Sequence, residues 1–285
     1  TFLSASFLLS LMLVITFINK LSFFSTYIII GTGLSVLLLI AFLYRETTAQ
    51  NPMLPLGLFK SFPFSLGSAS RFLSFTAGSS SFFLLPFFLV SGLGLTTASA
   101  ALYLLPGSIT LAIFGPISGR FADRIGTTGP SVVGMLLCSL AMYLFSNVSL
   151  NSPLLLVGIA SGLSGMGMSI FMAPNTSSIM GSAGRQHYGI VSAFLNLTRN
   201  GAHIVGIAIP TAIVVSVMAG LGYEADLSDT EKLKDLGLRT AYASAMARAF
   251  QLSTVLMVFT VLLVILGGIR GRFGNQSIRP ESEIG

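Results

Sequence analysis

The sequence predicts an all-α polytopic membrane protein, on three observations. Hydrophobic residues make up 53% of the 285 positions and charged residues 8%, with a mean hydropathy of +0.87, leaving too little polar surface to keep a soluble domain dispersed. Every acid (Glu46, Asp123, Glu224, Asp226, Asp229, Glu231, Asp235, Glu281 and Glu283) lies outside the apolar stretches, as expected when hydrocarbon is the solvent. Eight runs approach or exceed the roughly 20 residues that a helix needs to cross a bilayer.

The runs fall near 2–18, 24–44, 64–90, 98–118, 130–147, 153–175, 188–219 and 249–269. The first begins at Thr1 with neither an initiator Met nor a basic leader, so it reads as a helix entered midway rather than a cleavable signal, and the chain is expected to be part of a longer protein. Between the second and third runs, Pro52 and Pro55 exclude a regular helix, and Leu56-Gly57-Leu58-Phe59 reads as a short amphipathic piece on the membrane surface. The chain therefore divides into two helices over 1–44, a linker over 45–63, a six-helix bundle over 64–270 and a tail over 271–285. Six helices admit two inverted triplets, 64–147 and 153–269. The acidic segment within 220–248 reads as a solvated loop.

Orientation follows from Lys and Arg, which short loops retain on the cytoplasmic side. One set of helix ends carries Arg45, Lys60, Arg120, Arg124, Arg185, Arg270, Arg272 and Arg279; the short loops on the other side carry only Lys20. Both ends of the chain are thus expected in the cytoplasm, in a multi-pass protein of the cell membrane. The 220–248 loop adds Lys232, Lys234, Arg239 and Arg248 to the outer side but offsets them with acids. The chain has no Trp, so Tyr27, Tyr44, Tyr103, Tyr143, Tyr188, Tyr223 and Tyr242 are expected at the interfaces.

Several function classes are excluded or disfavoured. The net charge of +6 is spread singly between apolar runs and forms no nucleic-acid patch. A lone Cys138 forbids an intrachain disulfide, and with His187 and His203 it makes no metal-ligand spacing. No clustered Ser/His/Asp set or phosphate loop suggests an enzyme, and no cofactor is implied.

Two charges fall inside the proposed spans, Arg71 and Arg199. Arginine at mid-membrane costs roughly 2.5–3.5 kcal/mol on insertion scales, so each must snorkel or meet a wet cavity. Snorkelling accounts for Arg71. Around Arg199, Asn196, Asn200 and His203 recur at helical spacing and form a polar stripe, expected to face a central pathway or, alternatively, to tie helices together. Phe75, with Phe72, Phe82 and Phe83, is a candidate for lining a cavity for flat lipophilic or cationic compounds, although core packing explains any single Phe. Gly158, Ser161, Gly162, Gly165 and Gly167 predict close backbone contact along one helix, which Pro174 ends or bends. Pro116, between Gly115 and Gly119, reads as a kink.

The stretches Pro52-Met53-Leu54-Pro55-Leu56-Gly57-Leu58-Phe59, Leu104-Leu105-Pro106, Gly119-Arg120-Phe121-Ala122-Asp123-Arg124-Ile125-Gly126, Ala173-Pro174-Asn175-Thr176 and Gly189-Ile190-Val191-Ser192-Ala193-Phe194-Leu195-Asn196-Leu197-Thr198-Arg199-Asn200 occur in an order that resembles the fourteen-helix drug:proton antiporters of the major facilitator superfamily. The resemblance covers essentially the whole chain and implies that its helices correspond to the family's seventh to fourteenth: two extra helices and the C-terminal six-helix bundle, with an N-terminal six-helix bundle outside this chain. It supports Arg199 in its place. The stretch Gly119-x-x-x-Asp123-Arg124-x-Gly126 would form a cytoplasmic gating turn: Gly119 for close helix approach, Asp123 for a basic partner or free helix N–H groups, Gly126 for a positive φ. The family's basic residues after the last glycine are replaced by Thr127 and Thr128, expected to cap the helix that Pro130 opens.

The resemblance implies export of a small amphiphilic or cationic substrate in exchange for protons, by alternating access between two bundles in the lipid bilayer. These spans hold no carboxylate to carry a proton, so coupling is expected in the N-terminal bundle. A facilitator or lipid exporter of the same superfamily, or a non-transporting scaffold if the chain is complete, are the alternatives.

Overall fold

The computed structural model describes residues 56–223 and 236–276, with side chains to residue 270, and scattered positions between 6 and 45. Most of the proposed spans 2–18 and 24–44, most of the linker 45–63, the acidic part of the 220–248 loop and the end of the tail lie outside the described residues. The described positions among 30–45 are helical.

Six helices are long and apolar enough to cross a membrane: α1 (Phe62–Phe87), α2 (Thr97–Ile125), α3 (Thr128–Ser146), α4 (Leu154–Ala183), α5 (Tyr188–Gly220) and α6 (Leu236–Gln276). With no strand among the described residues, the chain is an all-α, multi-pass membrane protein. A five-residue π segment, Phe88–Gly92, extends α1 beyond Pro86. Pro63 occupies the first turn of α1, where its missing N–H costs nothing, and the Thr96 hydroxyl accepts the Ser99 N–H to start α2.

Helix pairing is reciprocal between α1–α3 and α4–α6. α4 lies against α2 and α3, α1 lies against α5 and α6, and α3 meets α6. The first helix of each triplet thus holds the second and third helices of the other. Small residues set the spacing. A Cβ on Gly165 would stand 2.0 Å from the Gly107 carbonyl oxygen, one on Gly167 2.5 Å from that of Gly134, and one on Gly206 2.2 Å from that of Thr76. At such separations any side chain would drive the backbones apart. The buried core between α1, α3, α4 and α6 includes Leu84, Phe88, Met142, Phe145, Phe171, Met246 and Phe250, with Cys138 among them, its thiol donating to the Ser164 carbonyl at 3.6 Å.

Several boundaries depart from expectation. α6 begins thirteen residues earlier than the run at 249, because Leu238, Ala241, Tyr242, Ala245 and Met246 are buried in the core. The segment is alanine-rich and helix-forming although its hydropathy is modest. Arg239 and Arg248 therefore sit on this helix rather than in a loop, and the Arg239 guanidinium donates to the Gly92 carbonyl. Tyr242 is no interfacial residue: it is 2% exposed, and its hydroxyl donates to the Leu84 carbonyl at 3.4 Å. α4 runs nine residues past Pro174, so that proline does not end it. Leu56–Lys60 forms a 3-10 turn whose Phe59 ring packs edge-on against Phe64 and Phe194, at 5.0 and 5.6 Å.

Candidate functional site

The exposed surfaces of the helices differ in kind. α3 exposes Val133, Leu136, Leu140 and Tyr143, and α6 exposes Val255, Val258, Phe259, Leu262 and Leu266, faces that hydrocarbon solvates without cost. α5 instead exposes Asn196, Asn200 and His203 on one stripe, with Arg199 half-buried among them. α2 is the least covered helix: 6% of its most apolar window is buried, against 56% for α1.

At the α1–α5 seam a connected polar cluster forms. Ser79 Oγ and His203 Nδ1 share a 2.6 Å hydrogen bond, and the His203 and Phe75 rings meet edge to face at 5.3 Å. Ser79 Oγ also stands 2.6 Å from the Phe75 carbonyl; when its single proton goes there, His203 Nδ1–H becomes the donor to Ser79. The Arg71 guanidinium lies 5.3 Å from the Phe75 ring centroid, and its Nη1 donates to Thr176 Oγ1 on α4 at 3.0 Å. Arg199, one turn before His203 on the same face of α5, donates its Nη2 to Asn196 Oδ1 at 3.1 Å. Arg71, Phe75, His203, Arg199 and Asn196 are thus brought together, whereas Asn200 stays on the exposed stripe. Of the other aromatic candidates, Phe82 points away, 87% exposed.

Arg71 does not snorkel. Its residue is 6% exposed, it lies roughly 13 Å along α1 from Phe62 at 1.5 Å per residue, and its Nε–H has no hydrogen-bond partner. Asn175 Oδ1, one position from the Thr176 that Arg71 bonds, is also unpartnered, while its Nδ2 donates to the Gly67 carbonyl at 3.0 Å. Asn175 reaches a separate cavity of about 650 Å³ at the ends of α1, α3, α4 and α6, walled by Gly67, Ser70, Thr128, Ser178 and Gly268. The arginine cluster does not line that cavity. The role of Asn175 had no local signal, because its partners stand more than a hundred residues away in sequence.

Gly119, Asp123 and Arg124 sit on the last two turns of α2 rather than in a turn, and only Gly126 and Thr127 separate α2 from α3. Gly126 has φ 86°, and its N–H closes the helix on the Ala122 carbonyl. Among the described residues no atom lies within 4 Å of a Cβ built on Gly119; the close approach on α2 occurs at Gly107. Asp123 is exposed and makes no hydrogen bond or ion pair among the described residues. Thr127 occupies the cap position of α3 without a side-chain cap bond, and Ser131 Oγ donates to its carbonyl instead at 2.7 Å. Pro116 and Pro174 both lie inside continuous helices. Among the described residues no His, Cys, Asp and Glu group gathers as a metal site.

The sequence profile of the Major Facilitator Superfamily matches residues 1–207. The chain is 30% identical over 258 residues to the lincomycin resistance protein LmrB of Bacillus subtilis, covering 90% of this chain and 51% of that protein. It is 28% identical over 185 residues to the tetracenomycin C resistance and export protein of Streptomyces glaucescens, covering 65% and 34%. To the multidrug resistance protein Stp of Mycobacterium tuberculosis it is 32% identical over 180 residues, covering 62% and 32%. The chain spans about half the length, or less, of the curated relatives it matches. Six apolar helices, a polar stripe on one of them and a profile match over most of the sequence lead to one assignment: this chain belongs to the Major Facilitator Superfamily.

Proposed function

We propose that this chain is the C-terminal part of a proton-coupled exporter of drug-like or amphiphilic compounds, working by alternating access against an N-terminal six-helix bundle. The observation that carries the reading is the exposed polar stripe Asn196, Arg199, Asn200 and His203 on a membrane-spanning helix. Lipid cannot solvate such a face, so it belongs against water or another protein surface. The poorly covered α2, with Gly119, Asp123 and Arg124 at its cytoplasmic end, supplies the neighbouring face on which the second bundle docks and rocks. Resistance and export in the names of the matched relatives support export as the direction.

In this reading Arg71, Phe75, Asn196, Arg199, Asn200 and His203 line the substrate path, and Pro116 and Pro174 lend their helices local compliance. The cell membrane, with both ends of the chain cytoplasmic, is the expected location from the distribution of arginines. Proton coupling resides outside this chain in this reading, since among the described residues the one acid is Asp123, exposed on the last turn of α2. Reconstituted alone in liposomes, the chain is expected to give no substrate-dependent proton flux; the transporter expressed from its whole gene should give it and should lower cellular accumulation of a fluorescent amphiphile. Robust flux from the chain alone would overturn the division of labour, and unchanged accumulation with the whole protein would overturn export.

A further inference from the structure

Among the described residues, two arginines stand at the α1–α5 seam with no acid paired to either. Asp123, on the last turn of α2, is the sole acid among the described residues and makes no ion pair there, and the other eight acids lie in segments that flank the apolar spans. Arg71 keeps its charge under 6% exposure with one hydroxyl, Thr176 Oγ1, as its hydrogen-bond acceptor and an unused Nε–H. Arg199, one turn from the His203 whose ring shares Phe75 with Arg71, adds a like charge and is held by a neutral amide, Asn196 Oδ1. A buried guanidinium without an anion is unfavourable, and a second one nearby makes it more so. Such a pair persists when something binds to it.

We propose that Arg71 and Arg199 form an anion-binding site at the α1–α5 seam that takes carboxylate-type oxygens, with the Arg71 Nε–H and the Arg199 guanidinium as donors. The inference rests on the transport reading and sharpens it. A planar carboxylate fits a guanidinium fork through charge-assisted hydrogen bonds, and Phe75, against both Arg71 and His203, offers an apolar face to the adjoining part of a ligand. A cation at this place would meet two like charges. The substrates favoured here are therefore amphiphiles with an acidic head, in contrast to the cationic compounds that the sequence suggested. The same oxygens are available from a second source, an Asp or Glu of the companion bundle that enters the seam in one state of the cycle.

The test uses the full-length transporter in nanodiscs and three probes of equal chain length: decanoate, decanol and decylammonium. If the anion is a ligand's, decanoate binds at least about tenfold more tightly than decanol, with decylammonium weakest. Arg199→Gln abolishes the preference of decanoate over decanol; Arg71→Lys, which keeps the charge but not the fork, reduces it in part. If the anion is a companion acid, the three probes bind alike, Arg199→Glu loses transport, and second-site suppressors replace an Asp or Glu outside this chain by a neutral or basic residue. Equal affinities, with Arg199→Glu either fully active or never suppressed at an acid, overturn the assignment. Binding is read without transport, so a protein that exports nothing but prefers decanoate keeps the site and loses the export reading.

Discussion

The α2–α4 and α1–α5 seams occupy corresponding places in the two triplets, yet they are built from different chemistry. Across the α2–α4 seam the cross-helix hydrogen bonds run from a hydroxyl to a backbone carbonyl: Ser161 to Leu104 at 3.1 Å, Thr110 to Gly162 at 2.9 Å, Ser118 to Ile170 and Ser169 to Leu111 at 2.8 Å. Every group is neutral; the glycine contacts do not distinguish the seams, since Gly165 on the Gly107 carbonyl here is matched by Gly206 on the Thr76 carbonyl across α1–α5. Across the α1–α5 seam the bond is between side chains, Ser79 to His203, and around it lie two arginines and unpartnered atoms on Arg71 and Thr76. Bonds to backbone fix a distance, whereas bonds between side chains can be exchanged for bonds to a ligand. One packing scheme, with a close glycine contact at each seam, thus yields a rigid seam at α2–α4 and an adaptable one at α1–α5.

The sharpest way to break the comparison is to fill the rigid seam. Gly165→Val places its Cβ against the Gly107 carbonyl, a backbone atom that cannot move aside, and is expected to cost about 3 kcal/mol or more and abolish the monodisperse peak on size exclusion. Next in size is Arg71→Leu at the adaptable seam. Removing an uncompensated buried charge should stabilise the unliganded protein by about 1–2 kcal/mol, seen as a higher Tm, while transport is lost. A lower Tm would mean that Arg71 already has an anionic partner.

Smaller effects separate the two kinds of hydrogen bond. Thr110→Val deletes a hydroxyl-to-carbonyl bond of the α2–α4 seam and is expected to cost about 1 kcal/mol with substrate affinity unaltered. Ser79→Ala frees His203 and is expected to change stability by less than about 0.5 kcal/mol but to alter substrate affinity. Equal consequences for these two variants, in both Tm and affinity, would erase the distinction.

Much of the architecture was written in local patterns. Six of the apolar runs correspond to helices because hydrocarbon demands long uncharged stretches, and the close-packed Gly162-to-Gly167 region was visible as clustered small residues. The start of α6 escaped because its alanines, with Arg239 and Arg248, lower the hydropathy while still forming helix; its signal was propensity, not apolarity. The α5 stripe was legible because Asn196, Arg199, Asn200 and His203 share one helical face. The Arg71–Thr176 bond was not, since it joins α1 to α4 across 105 residues and no local spacing encodes it. Gly107 escaped likewise, as a lone glycine whose need arises only from the helix opposite, while Gly119 carried a motif but meets nothing among the described residues.

The adaptable seam matters only if the stripe beside it faces water. In a background with Cys138→Ser and flanking cysteines replaced, Asn196→Cys, Asn200→Cys and His203→Cys are compared with Leu140→Cys on α3 and Val258→Cys on α6, using a membrane-impermeant thiol reagent on whole cells and inverted vesicles. The three α5 positions are predicted to react in at least one sidedness and to be protected by substrate, with Leu140→Cys and Val258→Cys inert in both. Inert α5 positions, with labelling no greater than at the two apolar ones, would place the stripe against lipid or within a sealed contact and contradict the account.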